Sequence, residues 1–287
     1  MTIAFTILRT GNDFFCSADG APKFFVGRQT NYKGRIGLYN IFGGSKLTKL
    51  LYDSENYVDE RGFWASFIDP TAGCEGRSFL TLNTYDRAAF TFGFSQFAAH
   101  VPDGDFVRYF RDMLALPEAV DYFPGLVLVD GRIARRSDNG ATTPLDTATD
   151  TTALMRYLNP SSDHVEDAEV IAAARLIHWS TEHRSARLIQ IGQMIHTYKG
   201  FMREADRRKL IAGRPAAQCC VIADILHQGR GTWAAIAAAL QTSAPFDKLV
   251  AIGAPEWDTR RKQLRAGIAK FPEMQTLHWD SASQDFV

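Results

Sequence analysis

Glu75, Asp86 and Thr91 fall within one stretch, residues 74–96, in an order that can handle a glycosidic bond. Ten residues separate the glutamate from the aspartate, and four separate the aspartate from the threonine. Breaking such a bond takes a proton for a poor leaving group and a means of stabilising positive charge at the sugar carbon. Two carboxyl groups usually divide that work, one protonated and one ionised. Glu75 ends the segment entering a β-hairpin, beside Cys74 and near Phe63, Trp64 and Phe67. Low-dielectric surroundings of that kind favour the neutral carboxyl that an acid catalyst needs. Asp86 falls in the reversal 85–88, where a solvent-facing carboxylate is expected to stay ionised. Thr91, on the return strand, brings a hydroxyl able to hold a water or a sugar hydroxyl. Strand alternation sets Phe90, Phe92 and Phe94 on one face, with Thr91 and Gly93 on the other. The same residues also suit an ordinary hairpin, because most exposed carboxylates do no chemistry.

The elements that must position these groups follow from pattern. Apolar and polar residues alternate over 79–82, and aromatic β-formers dominate 89–94. Before them, residues 1–45 are rich in aromatics and glycine, with β-like runs at 23–26 and 36–41 around a turn at 29–34. They are expected to form a β-rich arm or subdomain. Gly43-Gly44-Ser45-Lys46 lacks the full spacing of a phosphate loop and reads as a turn before a helix. Pro102-Asp103-Gly104-Asp105 offers a helix start, and Phe106, Val107, Phe110, Met113 and Leu114 recur at helical spacing up to Pro117. Asp130-Gly131 signals a second hairpin between 126–129 and Ile133, and 138–150 reads as a loop. Helices are then expected at 151–158, 163–180, 184–203, 216–227, 232–241, 246–252 and 257–270. The one at 216–227 is apolar nearly all round, which marks a central buried helix. The expected class is α+β: residues 46–287 as one domain, with a hairpin lobe at about 75–100, a helical lobe at about 103–271 and a cleft between them.

Composition narrows the function classes. Lys plus Arg equals Asp plus Glu, 32 against 32, so no basic excess is present to meet a nucleic acid backbone. No run reaches the ~18 apolar residues of a membrane span, and the N-terminal residues lack a signal-peptide pattern. Synthesis in a reducing cytoplasm is expected, with action at the cell wall after release or delivery. Cys16, Cys74, Cys219 and Cys220 form no C-x-x-C pair. No cofactor and no metal are expected. His164, His178, His183 and His196 show no pair at the spacing of a zinc-peptidase helix, and Gly-x-Ser-x-Gly is absent.

The order Glu75-Gly76, Tyr85, Asp86, Thr91-Phe92-Gly93-Phe94 resembles the phage-type lysozymes. In that family a Glu-Gly ends the first helix and is followed by a hairpin carrying an Asp and a return strand carrying a Thr. The resemblance implies a lysozyme-like fold, with Glu75 as acid and Asp86 and Thr91 managing the attacking water. Here the Glu-to-Asp spacing is longer and the Asp-to-Thr spacing shorter, and Ser95-Gln96 replaces the family's Gly-His. Gly93 to Gln96, a Gly-x-x-Gln, is similar instead to the goose-type and lytic-transglycosylase branches of that superfamily. Arg260-Arg261 and the helices before them look like its closing helices, chitosanase-like members included. Gln96, His100 and Gln228 are the implied substrate contacts, and Glu55-Asn56, like the Glu-Asn pair of chitosanase-like members, is the second candidate for the acid. Glu55 and Glu60 equally suit a solvated helix surface.

The expected function is a muramidase cutting the β-1,4 glycan of bacterial cell walls. The alternatives are a catalytically silent glycan-binding or structural module of the same fold, and a chitosanase-like hydrolase. Phage lysin and secreted effector both fit, and no secretion-system or immunity partner is legible.

Overall fold

In the computed structural model, residues 2–41 and 46–287 are described. Most of the proposed turn at Gly43-Gly44-Ser45-Lys46 lies outside the described residues. The chain divides into two units: residues up to 51 with 78–193, and residues 52–77 with 194–287. Helix and sheet are mixed in an α+β pattern.

An antiparallel meander organises the first unit. Its strands β1 (Phe5–Thr10), β2 (Asp13–Ala18), β3 (Phe24–Tyr32), β4 (Arg35–Tyr39), β5 (Leu82–Asn83), β6 (Thr91–Phe92) and β7 (Phe97–Ala98) lie side by side in sequence order. The residues expected to form a β-rich arm or subdomain supply β1–β4 of the sheet that carries the hairpin. Lys33 and Gly34 both take positive φ at the β3–β4 reversal, as a tight hairpin turn requires. Asn40 carries the sheet onward from β4: its amide donates to the Leu80 carbonyl at 2.7 Å and its Oδ1 accepts from Leu82 N at 2.8 Å. The helix Asp167–Glu182 packs against β1, β2 and β3. On it, Trp179 stacks on Tyr122 with ring centroids 4.7 Å apart.

Asp130 and Gly131, again both at positive φ, join β8 (Leu126–Val129) to β9 (Arg132–Arg136). β10 (Thr142–Pro144) adds a third strand inside the stretch read as loop. The buried Asp146 then ties this small sheet to the helix Asp105–Leu114, accepting from Ile133 N at 2.6 Å and from Arg111.

Helices dominate the second unit. Phe63–Cys74 packs against Asp258–Ile268 and Ala216–Gln228. Gly267 makes the first approach possible, since a Cβ there would stand 3.0 Å from Pro70. Ala216–Gln228 buries nine of its residues, as its all-round apolar sequence leads one to expect, and Gly229 ends it at φ 65° in the left-handed region. Trp233–Leu240 and Pro245–Ala251 follow, and a hairpin of β11 (Trp279–Asp280) and β12 (Asp285–Phe286) closes the chain. No helix is long and apolar enough to cross a membrane, among the described residues.

Candidate active site

Glu75 is the C-cap of Phe63–Cys74, its backbone N–H donating to Thr71 and Ala72 carbonyls. It thus belongs to the second unit, whereas the hairpin after it belongs to the first. The apolar setting expected for it is not the one found. Phe63, Trp64 and Phe67 lie two to three turns back along the helix, ~12 Å or more away by helical rise. Their rings gather on Phe286 instead, at 5.3, 5.4 and 4.8 Å.

Charged and polar groups surround the carboxyl. Its side chain is 8% exposed, and Oε1 accepts from Arg260 Nη1 at 2.8 Å and from the Gln228 amide. His227 Nε2 stands 3.7 Å from the same oxygen. Gln228, read from sequence as a substrate contact, therefore touches the proposed acid itself. Arg260 also grips Asp224, its Nη2 2.8 Å and its Nε 3.1 Å from Oδ1. Asp224 is fully buried and receives Arg230 Nε at 3.1 Å on Oδ2 and the Thr71 hydroxyl at 3.3 Å on Oδ1. Burial works against the Arg260 charge, but Asp224 and Glu75 outweigh it and hold the guanidinium firmly protonated. Burial likewise pushes the Cys74 thiol up to about 12, so it is no nucleophile at neutral pH.

Elsewhere in the second unit, Asp69 pairs in fork geometry with Arg77, at 2.5 and 2.6 Å. That bond fixes the loop following Glu75, where Gly76 and Arg77 both take positive φ. Glu55 lies in the short 3-10 turn Ser54–Asn56 on an exposed surface, and Asn56 is exposed beside it.

The remaining predicted residues lie in the first unit. Asp86 is half-buried in the β5–β6 connection, accepting from Ala88 N at 2.8 Å and from the Asn83 amide at 3.0 Å. Thr91 does not lie on an open face. β6 is only two residues long and sits between β5 and β7, and Thr91 is 5% exposed while Phe92 and Gly93 are buried as well. Gly93 and Gln96 make the β6–β7 turn, with Gln96 N–H donating to the Gly93 carbonyl at 2.9 Å. Gly93 takes φ 89°, and a Cβ there would meet Gln190 Oε1 at 2.6 Å. His100 is partly buried, with no hydrogen-bond partner for Nδ1 among the described residues. Burial foremost, then Arg87, lowers its pKa, while Asp86 opposes the shift.

Two groups escaped sequence reasoning. Asp224 is the lone carboxylate in a mostly apolar helix, and that pattern is the readable sign of a buried ion pair. Glu169, in the first unit, is fully buried with the Thr84 hydroxyl and Leu38 N–H (3.1 Å) on Oε1. Burial pushes its carboxyl up to about 7 against those hydrogen bonds. Its only sequence sign is an acid among alanines and valine at the start of a helix. Among the described residues no group of three or more His, Cys, Asp and Glu is arranged to hold a metal ion.

No protein-family model, curated protein or solved structure matches this chain.

Proposed function

We propose that this protein cleaves the β-1,4-linked glycan of bacterial cell walls, with Glu75 as the proton donor of a lysozyme-like α+β fold. One observation carries the reading. A nearly buried glutamate caps a helix just before a hairpin, and its carboxyl is held by donors from two other helices, Gln228 and Arg260. A glutamic acid that protonates a bridging oxygen is left as a carboxylate, and Arg260 with Gln228 is placed to stabilise the charge that develops. The donor form of Glu75 is the protonated acid, and His227 Nε2, 3.7 Å away, is a neighbouring imidazole through which a proton can be returned to it after each turnover. The residues this proposal uses are all in the second unit.

The catalytically silent module keeps a place because of the same contacts. The chain of pairs Glu75–Arg260–Asp224–Arg230 is also what a purely structural buried network looks like. Incubation with purified peptidoglycan and with chitosan, followed by mass spectrometry of the soluble products, separates the readings. Glycan fragments from peptidoglycan are expected. Binding to sacculi without soluble fragments would overturn cleavage in favour of the silent module, and fragments from chitosan alone would move the substrate.

A further inference from the structure

A cavity of about 200 Å³ opens in the first unit between the β2–β3 turn, the start of β3 and the last turns of the helix Asp167–Glu182. Ala18, Pro22, Phe24 and Ile177 give it apolar walls, and His178 and Glu182 are the ionisable groups of its lining. The turn side is firmly built. Asp19 and Gly20 take positive φ to reverse the chain, Ala21 N–H donates to the Ala18 carbonyl at 2.8 Å, and the Ser17 hydroxyl donates to the Ala21 carbonyl at 2.6 Å.

The two ionisable groups differ in what they offer. His178 is half-buried, with Nδ1 2.9 Å from the Tyr122 hydroxyl and the rings of Phe5 and Phe24 at 5.7 and 5.8 Å from its own. Burial lowers its pKa, His183 adds to the shift, and Glu182 and Asp19 oppose it, so the imidazole is uncharged at neutral pH. Glu182 is exposed, and no hydrogen bond or ion pair engages its carboxylate among the described residues. The neighbouring cations are occupied elsewhere. Arg187 donates to the Ser180 and Thr181 carbonyls, Lys23 lies over the Phe15 ring at 4.9 Å, and Lys46 pairs with Asp13. Glu182 is the foremost charge felt by both His178 and Tyr122, which sets it at the imidazole end of the hollow.

An apolar hollow with one unpartnered carboxylate at its end is complementary to an organic cation. A cavity of ~150 Å³ already takes a benzene-sized ring, so the space suits one ring on a short arm. We infer that this cavity binds a primary ammonium carried on a single aromatic ring, the ring against Pro22, Phe24 and Ile177 and the ammonium at Glu182. The site stands whether or not the chain cuts glycans.

Calorimetric titration of the full chain with benzylamine at neutral pH tests it. Saturable binding is expected, with benzyl alcohol and methylammonium each weaker by about tenfold or more, since one lacks the charge and the other the ring. Benzoate, of opposite charge, is expected not to bind. Glu182→Gln is at an exposed position, is expected to fold normally, and is expected to weaken benzylamine by about tenfold. Asp130→Asn removes the same charge from the exposed β8–β9 turn, outside the lining, and is expected to leave the affinity unchanged. Absence of saturable binding, equal binding of benzyl alcohol or benzoate, wild-type affinity in Glu182→Gln, or an equal loss in Asp130→Asn overturns the assignment. Tighter binding of methylammonium than of benzylamine overturns it too, in favour of a bare cation site. Glycan cleavage is read separately, so failure there leaves this result standing.

Discussion

Glu75 and Glu169 are both withdrawn from solvent, yet their partners differ in kind. Glu169, in the first unit, has the Thr84 hydroxyl and backbone N–H groups, that of Leu38 foremost, to hold it. Neutral donors do not offset the loss of water, so its carboxyl rises to about 7. Glu75, in the second unit, has a guanidinium at 2.8 Å, itself anchored on Asp224. A guanidinium clamp and a set of neutral donors are thus two different surroundings for a carboxyl, and depth of burial alone does not tell them apart.

The sharpest way to break that contrast is to remove the cation. Arg260→Ala leaves Asp224 buried and short of a partner and takes the clamp from Glu75. A loss of about 3–5 kcal/mol in urea unfolding is expected, the usual cost of breaking a buried pair from one side. A loss below ~1 kcal/mol would mean that the network holds nothing together. The next largest effect belongs to Glu169. Its folded value of about 7 lies above the ordinary value of 4.5, so its stabilising share is complete below the lower figure and is lost as pH rises through the higher. Wild type is expected to lose about 3 kcal/mol, relative to Glu169→Gln, on going from acid to pH 8. The glutamine variant, which mimics the protonated acid, is thus the more stable protein at pH 8, and unfolding curves at several pH values check this. Parallel pH profiles for the two proteins would contradict it. Smallest is Asp86→Asn, where the carboxyl meets only local neutral donors and an amide oxygen can replace it. Thermal unfolding is expected to change by less than ~0.5 kcal/mol.

Much of the helical half was readable because its period is local. The helices at 184–207, 216–228 and 258–268 appear within a few residues of where apolar spacing places them. Phe63–Cys74 is hidden in the sequence, because Pro70 inside it and Gly62 and Gly73 near its ends are helix breakers. It stands because Trp64, Ala65, Phe67, Ile68 and Ala72 are buried, and burial outweighs propensity. The hairpin was recognised, yet its strands shrink to two residues each, since Asn40 takes over the bonding around Leu80 and Leu82. Candidate-site residues were legible one by one and their company was not. Glu75 and Gln228 could be named from local sequence, whereas the Arg260 contact joins positions 185 residues apart, which no local pattern records.

The central claim is that Glu75 supplies a proton and not merely a salt bridge. Glu75→Gln keeps the side-chain shape and can still meet its neighbours through the amide oxygen, but it carries no acidic proton. Reducing ends released from purified peptidoglycan should fall by about 10²–10⁴-fold in the variant. An unfolding curve recorded beside the assay shows whether the fold is retained. Equal release by wild type and by a folded Glu75→Gln variant would contradict the account.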